Sequence, residues 1–366
     1  MIFQKNSEKV FEEDIFIQAY GKKISKELKV FYNPVMKLNR DISLLVIANY
    51  FEKPIKFCDP MAASGIRELR FIRTIPTKFS ELVVGDISKT AIKNIRKNFR
   101  ANKLPTKKLT LQNQDANATI SSAYFDFIEI DPFGSPVPFL DSAVQKIKHN
   151  GVLSVTATDT AALCGTYPRT TLRRYGIKVE KTLWHEELGL RNLIAYCQRQ
   201  AAKYEKVLTP ILSYTNQHYY KVFFKVDQSR TKAVETLKKL QWIQWDKKTQ
   251  EVTIEEYESK ESFGKTYTGK LCDKGFIQKL LDNIELIEAS SELARLLTSL
   301  RDELDTIGYY NPHKFCKEYG FECQKKFYQI IEDIKEKGYE ISRPHNNRLG
   351  IKTNCPAEEF IKIMKD

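Results

Sequence analysis

The segment Asp131-Pro132-Phe133-Gly134-Ser135-Pro136 combines a carboxylate, a proline and an aromatic ring directly after the apolar run 125–130. A run of this kind is typical of a buried strand, so the carboxylate would stand where the strand ends. There Asp131 could accept a hydrogen bond from the exocyclic amine of a nucleobase, the Pro132 carbonyl could accept a second, and Phe133 could stack on the base. This chemistry suits methylation of the amine. The alternative is a strand that ends in a plain Pro-Gly turn, because short motifs also arise by chance.

Three other aspartates end predicted strands in the same way. The strands 55–59, 81–86 and 109–115 end in Asp59, Asp86 and Asp115. Ligands of open α/β sheets bind beyond the carboxyl ends of the strands, so we expect the four aspartates to share one site. A purely structural sheet has no reason to end four successive strands in an acid.

The elements that must position these acids alternate between strands and helices. Strands are predicted at 55–59, 81–86, 109–115, 127–130 and 152–156, and helices at 66–72, 89–102 and 138–148. This alternation predicts an α/β, Rossmann-like fold with a parallel sheet and right-handed crossovers. Before and after it, residues 1–30 show no clear period, residues 156–176 resemble a loop, and two strands at 207–214 and 219–226 suggest a closing hairpin.

The charge distribution divides the chain near residue 227. Residues 1–226 carry 35 Lys and Arg against 21 Asp and Glu, whereas residues 227–366 carry 24 against 25, in keeping with the net charge of +13. We therefore predict two domains, 1–226 and 227–366, of which the second is a smaller α+β domain. Its last elements are predicted in the order helix, helix, strand, strand, helix, which is compatible with a winged helix.

The basic N-terminal part predicts a polyanionic partner, of which nucleic acid is the commonest. Any one cation is better explained as a solvated surface charge, and lysine-rich surfaces also occur in proteins from hot environments. As a group, the cations favour RNA. The candidates for phosphate contacts are Lys93, Arg96, Lys97, Arg100, Arg169, Arg173 and Arg174.

Composition excludes several other classes of protein. The chain is 42% hydrophobic and 29% charged, as globular proteins are. The polar N-terminus lacks the apolar core of a signal peptide, and the longest apolar run is too short to cross a bilayer, so we expect a cytoplasmic protein with no membrane partner. The seven cysteines include no Cys-x-x-Cys pair, which argues against a disulfide framework and a zinc ribbon.

The turn 62–65 and the acid that follows it indicate a cofactor with a ribose. Asp86 comes 21 residues after Gly65 and ends the next strand, which is the position of a ribose-binding carboxylate. A single glycine leaves little room for a pyrophosphate. The spacing therefore disfavours NAD and FAD and favours S-adenosylmethionine, which has a ribose and an adenine but no phosphate.

Three more residues suit that cofactor. Asp115 could accept a hydrogen bond from the adenine amine, the Ala116 backbone N–H could donate to the ring, and Arg67 could bind the methionine carboxylate. The alternatives are helix N-capping for Asp86 and Asp115 and a solvent-facing helix position for Arg67. The matching spacings favour cofactor binding.

The residues alone leave the substrate open, because an adenine amine, a cytosine amine or a glutamine amide would also satisfy Asp-Pro-Phe. A second alternative is an RNA-binding protein that keeps the fold without the activity. Arg67, Asp86, Asp115 and Asp131, all present, argue against that alternative.

Several longer segments narrow the choice of substrate. They are 31–34 with 39–41, 59–67, 115–117, 131–136, 156–160 with 164–168, 185–186 with 189–191, 264–273 and 350–353. With these segments the chain resembles, over nearly its whole length, the tRNA guanine-26 N2-methyltransferases that form N2,N2-dimethylguanosine.

The resemblance implies a class I S-adenosylmethionine-dependent methyltransferase domain, followed by a family-specific C-terminal domain that binds tRNA. The target implied is the N2 amine of guanine 26, which receives one or two methyl groups. Asp131 is implied as the catalytic carboxylate. The cofactor residues implied are Arg40, Arg67, Asp86, Asp115 and Ala116, and those near the target base are Phe31, Pro132 and Phe133.

The chain departs from the pattern of this family in one respect. Many relatives hold zinc through paired cysteines in the C-terminal domain, whereas the corresponding region here contains only Cys272. We therefore expect no metal, and we expect the protein to act as a monomer.

Overall fold

The computed structural model describes residues 7–20, 30–216, 218–322 and 324–365. The chain divides into two compact units. The first comprises Met1–Thr156, Phe223–Gln228 and Gln278–Arg295, and the second comprises Ala157–Val222, Ser229–Ile277 and Leu296–Asp366. Each unit is thus built from separate stretches of chain. The predicted boundary between residues 226 and 227 stays a prediction, because no domain division of a relative tests it.

The first unit contains the alternating part of the chain. Its elements are β1 (Ser7–Glu12), β2 (Ile15–Tyr20), α1 (Lys37–Tyr50), β3 (Ile55–Asp59), α2 (Ile66–Thr74), β4 (Phe79–Gly85), α3 (Lys89–Ala101), β5 (Leu109–Gln112), α4 (Ala116–Ser121), β6 (Phe125–Ile130), α5 (Val137–Lys146) and β7 (Ile147–Ala157). Neighbouring strands from β3 to β7 pair in parallel. This confirms the predicted parallel α/β sheet.

The sheet of the described residues has the strand order β5-β4-β3-β6-β7-β9-β8, in which β8 is Lys206–Asn216 and β9 is Tyr219–Gln228. The order reverses between β3 and β6, so the crevice where ligands bind in such sheets opens there. The core around the sheet combines aliphatic side chains with phenylalanines from strands and helices. The rings of Phe57 and Phe71 meet at 5.3 Å, and those of Phe57 and Phe127 at 5.5 Å.

The second unit contains the remaining elements for the most part. They are α6 (Thr160–Leu163), α7 (Pro168–Tyr175), α8 (His185–Ala202), α9 (Arg230–Lys238), β10 (Leu240–Trp245), β11 (Val252–Glu255), β12 (Phe263–Tyr267), α10 (Lys274–Asp282), α11 (Ser291–Asp302), α12 (Pro312–Tyr319), α13 (Phe327–Glu336), β13 (Ile341–Ser342), β14 (Lys352–Thr353) and α14 (Ala357–Lys365). The last five follow the predicted order, and β13 and β14 pair antiparallel. Their core includes Tyr310 stacked on Phe360 at 4.5 Å.

One sequence interpretation was wrong, and one segment without a structural prediction forms strands. Residues 156–176 contain α6 and α7 instead of a loop, and the signals were Pro168 in the first turn of α7 and Gly176 in the left-handed conformation at its end. Residues 7–20 form the antiparallel pair β1–β2, whereas residues 1–6 and 21–29 lie outside the described part of the chain. Among the helices described, none has the length and hydropathy required to cross a membrane.

Candidate active site

The four aspartates lie at the carboxyl ends of four neighbouring strands, as predicted. Asp59 ends β3, Asp86 directly follows β4, and Asp131 directly follows β6. Asp115 stands three residues beyond β5 and precedes α4. Because β5, β4, β3 and β6 are successive neighbours in the sheet, the four acids share one edge.

Arg67 contacts two of the aspartates at this edge, Asp131 and Asp59. Its Nη2 donates to Oδ2 of Asp131 at 2.7 Å, and its Nε faces Oδ2 of Asp59 at 3.7 Å. Arg67 was predicted to bind the cofactor and Asp131 to bind the target base. The structure therefore places a predicted cofactor residue in direct contact with the predicted catalytic carboxylate.

Three further buried side chains, none of them among the predicted site residues, surround the same guanidinium. Oδ1 of Asn39 accepts from both Nη atoms of Arg67 at 3.1 Å, and Oγ of Ser43 accepts from Nη1 at 2.9 Å. Glu129 lies 3.4 Å from Nη1 and also accepts from Ser154 at 3.0 Å. Asn39, Ser43 and Glu129 have no solvent exposure.

Electrostatics favour the charged form of Arg67. Burial acts to lower the pKa of Arg67, but the carboxylates of Glu129, Asp131 and Asp59 outweigh it and hold the pKa above its usual value. Arg67 thus stays a cation inside the site. Arg67 is buried and held by several hydrogen bonds. It therefore does not occupy a solvent-facing helix position, which was the alternative considered for it.

The turn after β3 requires a glycine at position 65. Gly65 adopts a φ of +74°, and a Cβ at this position would lie 3.0 Å from the side chain of Ile95. The carboxylate of Asp86 accepts from the backbone N–H groups of Ala63 at 3.0 Å and of Ser88 at 2.7 Å. Burial raises the pKa of Asp86, although these two hydrogen bonds act in the opposite direction.

Asp115 and Ala116 occupy the start of α4. Oδ1 of Asp115 accepts from the backbone N–H of Asn117 at 2.8 Å, so the side chain N-caps the helix. Asp115 is exposed and Ala116 is buried. Because a carboxylate has about four acceptor positions, the cap leaves Asp115 free to accept a further hydrogen bond. The capping alternative is thus real for Asp115, whereas Ser88 caps α3 in place of Asp86.

Arg40 contacts Glu12, a buried acid at the end of β1. Its Nε donates to Glu12 at 2.9 Å and its Nη2 pairs with the same carboxylate and with the Asn33 carbonyl. Burial acts to raise the pKa of Glu12, but Arg40 and Arg70 outweigh it and hold the pKa below its usual value. In the described part of the chain, Nη1 of Arg40 has no hydrogen-bond partner. The cofactor role of Arg40 stays a prediction.

The residues predicted near the target base lie together. The rings of Phe31 and Phe133 meet edge to face with centroids 4.6 Å apart. Phe133 is 52% exposed although it follows buried Pro132. An exposed aromatic ring beside Asp131, supported by a second ring, offers a face on which a base could stack.

The local sequence contains signals for the residues that were missed. Glu129 is an acid inside the apolar run 125–130, and a charged residue in a strand buried on both faces requires a partner. Asn39 and Ser43 are four residues apart and so project from one face of α1. The sequence did not indicate that Arg67 is the partner of all three residues.

The cysteines take no part in the site. The six in the described residues are reduced and buried, and burial raises the pKa of Cys58 well above its usual range. Cys323 lies outside the described residues. Within them, no group of three or more His, Cys, Asp or Glu side chains could hold a metal ion.

Comparison with known sequences gives a consistent result. The family model described as N2,N2-dimethylguanosine tRNA methyltransferase matches residues 7–365. The chain is 35% identical over 361 residues to the tRNA (guanine(26)-N(2))-dimethyltransferase of Pyrococcus furiosus, with 92% of each chain covered. A relative from Aquifex aeolicus, named tRNA (guanine(26)-N(2)/guanine(27)-N(2))-dimethyltransferase, is 32% identical and covers 96% of this chain and 94% of its own.

A solved structure extends the similarity to the fold. The complex of Trm1 from Pyrococcus horikoshii with S-adenosyl-L-methionine superposes with a TM-score of 0.89 at 33% identity, covering 97% of this chain and 99% of its own. The likeness spans both units of the chain. It confirms the predicted methyltransferase fold.

Proposed function

The chain belongs to the N2,N2-dimethylguanosine tRNA methyltransferase family, and we infer that it methylates the N2 amine of guanine 26 in tRNA. It is an S-adenosylmethionine-dependent enzyme. The observation that supports the residue roles most directly is the 2.7 Å hydrogen bond between Arg67 and Asp131. This bond joins a predicted cofactor residue to the carboxylate that would act on the base.

The residues of the site suit S-adenosylmethionine. Asp86, with two backbone hydrogen bonds fixing its orientation, would accept from the ribose hydroxyls. Arg67 would bind the methionine carboxylate. Nδ2 of Asn39 is buried and has no hydrogen-bond partner among the described residues, which provides a second donor for that carboxylate. Asp115 and Ala116 would bind the adenine. When bound, S-adenosylmethionine supplies the methyl group as an electrophilic sulfonium.

Asp131 would act on the amine of the base. The N2 lone pair of guanine is delocalised into the ring, so the amine is a weak nucleophile. Oδ2 of Asp131 is held by Arg67, whereas Oδ1 has no partner among the described residues. Oδ1 would accept an N2–H hydrogen bond, direct the lone pair to the methyl group and take or relay the proton. The orientation of Asp131 by Arg67 accounts for the positioning that such chemistry requires.

Phe133 and Phe31 would hold the base after it leaves the tRNA stack. A guanine inside a folded tRNA must be flipped out before an enzyme can reach its N2 amine. The exposed ring of Phe133 would stack on the flipped base, and Phe31 would support that ring from its edge. After one transfer the amine keeps one N–H, so the same contact with Oδ1 is available for a second.

The function is tested by analysis of tRNA nucleosides by mass spectrometry after incubation with methyl donor. We expect the wild-type protein to form N2-methylated guanosine at position 26. We expect Asp131→Asn to lower turnover by about 10²-fold or more, because general acid–base groups contribute roughly 10²–10⁴-fold. Calorimetry should show that the variant still binds S-adenosylmethionine and tRNA.

Asp126→Asn is the matched control, because Asp126 lies on the same strand at its opposite end and contacts Lys148 and the Lys56 backbone. This control should retain turnover. Absence of N2-methylated guanosine with wild-type protein would contradict the proposed function. Full turnover by Asp131→Asn would contradict only the role of Asp131. Mapping the product also separates modification at position 26 from modification at position 27.

The proposal includes no metal, because the sulfonium already provides the electrophile, and it places a monomer in the cytoplasm. Gel filtration with light scattering tests the oligomeric state, and elemental analysis of the purified protein tests the metal. Fractionation of cells tests the location.

A further inference from the structure

The outer face of α3 carries an unusual concentration of positive charge. Its exposed side chains include five cations, Lys89, Lys93, Arg96, Lys97 and Arg100. They recur at intervals of three and four residues, so they project from one side of the helix. Segment 87–114, which contains α3, carries eight Lys and Arg and no Asp or Glu.

These five cations differ from other cations of the same unit. Lys56 pairs with Glu81 at 2.8 Å, Arg73 with Asp14 at 3.2 Å, and Lys148 with Asp126 at 3.0 Å. In the described part of the chain, none of the five on α3 has an ion-pair partner. Like charges four residues apart disfavour a helix, so the stability of α3 does not account for a face of this kind.

The inner face of α3 is fixed against the predicted cofactor turn. Ile95 packs so close to Gly65 that a Cβ at position 65 would lie only 3.0 Å from the Ile95 side chain. Nδ2 of Asn98 donates to the Ser64 carbonyl at 3.0 Å. The Asn102 side chain also bonds both the N–H and the carbonyl of Phe16. A rigidly held helix presents its cations in a fixed arrangement, which lowers the cost of ordering them on a ligand.

We propose that the outer face of α3 binds the phosphodiester backbone of the substrate tRNA, away from the target guanine. The proposal rests on the proposed function, in which tRNA is the substrate. Unpaired cations on an exposed helix are complementary to a polyanion, whose neutralised phosphates release counterions. The face carries no exposed aromatic ring within α3, so it would bind backbone and contribute affinity without reading bases.

The test is the triple variant Lys93→Gln, Lys97→Gln and Arg100→Gln. Glutamine keeps helix propensity at these exposed positions, so folding should be retained. Each lost contact should lower the slope of log Kd for tRNA against log salt by about 0.7, or about 2 in total. We expect the KM for tRNA to rise on the order of tenfold at about 0.1 M salt, with kcat and the Kd for S-adenosylmethionine unchanged.

The matched control removes three paired cations from the same unit, with Lys56→Gln, Arg73→Gln and Lys148→Gln. It changes the net charge equally and should leave the tRNA slope near that of wild type. Wild-type tRNA affinity in the α3 variant, or an equal loss in the control, would overturn the proposal. If the triple variant does not fold, the single variants Lys97→Gln and Arg100→Gln decide, each with an expected slope change of about 0.7. Failure of wild-type protein to methylate tRNA would instead overturn the proposed function.

Discussion

At the scale of single residues, the side chain of Arg67 contacts both the predicted catalytic carboxylate and several other polar groups of the site. Its Nη atoms donate to Asn39, Ser43 and Asp131, and its Nε faces Asp59. The planar guanidinium can hold all of them at once because its donors point in fixed directions. A lysine would keep the charge and lose the arrangement. Residue spacing predicted Arg67 and Asp131 separately, but their contact joins residues 64 apart in sequence and is therefore visible only in the fold.

The Asp59 carboxyl gives a prediction for stability against pH. Burial raises the pKa of Asp59 from its usual 3.8 to about 6, even though Arg67 acts to lower it. The buried Glu68 beside it has its own pKa raised well above the usual range by burial. Between about pH 4 and pH 6 the folded protein therefore binds a proton that the unfolded chain releases. Stability from this group falls as the pH rises through that window.

We expect Asp59→Asn to remove this dependence. Relative to wild type, the free energy of unfolding of the variant should rise between pH 4 and pH 6, by on the order of a few kcal/mol. Urea denaturation at several pH values measures it. Glu81→Gln is a control for which the free energy of unfolding, relative to wild type, should fall as the pH rises. The reason is that the hydrogen bond from Lys56 lowers the pKa of Glu81. Parallel curves for wild type and Asp59→Asn would contradict the prediction.

At the scale of elements, the alternation of strands and helices was predictable because each has its own period of apolar residues. The parallel strands from β3 to β7 agree with the prediction for that reason. Segment 7–20 was not recognised because a short hairpin needs only a few residues and shows no long period. Helix α7 was not recognised because its exposed basic face outweighs its few buried positions, Thr171 and Tyr175.

The turn between β3 and α2 can be tested through Gly65. Alanine there would adopt a left-handed conformation, which costs roughly 1–2 kcal/mol, and would also force Ile95 to move. Gly176 is the matched control, since its φ is +63° and no atom lies within 4 Å of the position that an alanine Cβ would occupy. We expect Gly65→Ala to lower the free energy of unfolding more than Gly176→Ala does, and to weaken binding of S-adenosylmethionine.

Urea denaturation and calorimetry measure the two effects on Gly65→Ala and Gly176→Ala. The difference in stability between the variants isolates the contact with Ile95, because the backbone cost is common to both. Equal stability losses would show that Ile95 yields without cost. Unchanged cofactor affinity in Gly65→Ala would remove the support for a cofactor turn at this position.

At the scale of the whole molecule, each of the two units buries charged side chains that pair with each other. In the first unit, carboxylates gather around Arg67 at the sheet edge of the predicted site, and the cations on the outer face of α3 have no ion-pair partner among the described residues. The second unit contains a buried network of charges that neutralise each other. Nζ of Lys352 lies 3.0 Å from Glu187 and 3.0 Å from Glu303, and Glu187 also accepts from Arg191 at 2.7 Å.

This buried network joins distant stretches of the second unit. Lys352 lies on β14, Glu187 on α8 and Glu303 after α11, and His345 contacts Glu303 at 2.7 Å. Burial acts to lower the pKa of Lys352, but Glu187 and Glu303 outweigh it and raise the pKa. No local pattern in the sequence indicates the network, because its members are separated by up to 165 residues.

Lys352→Met should therefore destabilise the protein strongly. The substitution removes the buried cation that Glu187 and Glu303 share, which leaves Glu187 with Arg191 and Glu303 with His345. Removal of one partner from a buried pair costs about 3–5 kcal/mol. Urea denaturation measures the loss. Lys337→Met is the control, because Lys337 pairs with Glu359 on the surface, and such pairs contribute little. The double variant Lys352→Met with Glu303→Gln should recover part of the loss, since it removes the carboxylate that has lost its lysine and keeps the pair of Glu187 with Arg191 intact. If Lys352→Met proved no worse than the control, the network would not stabilise the second unit.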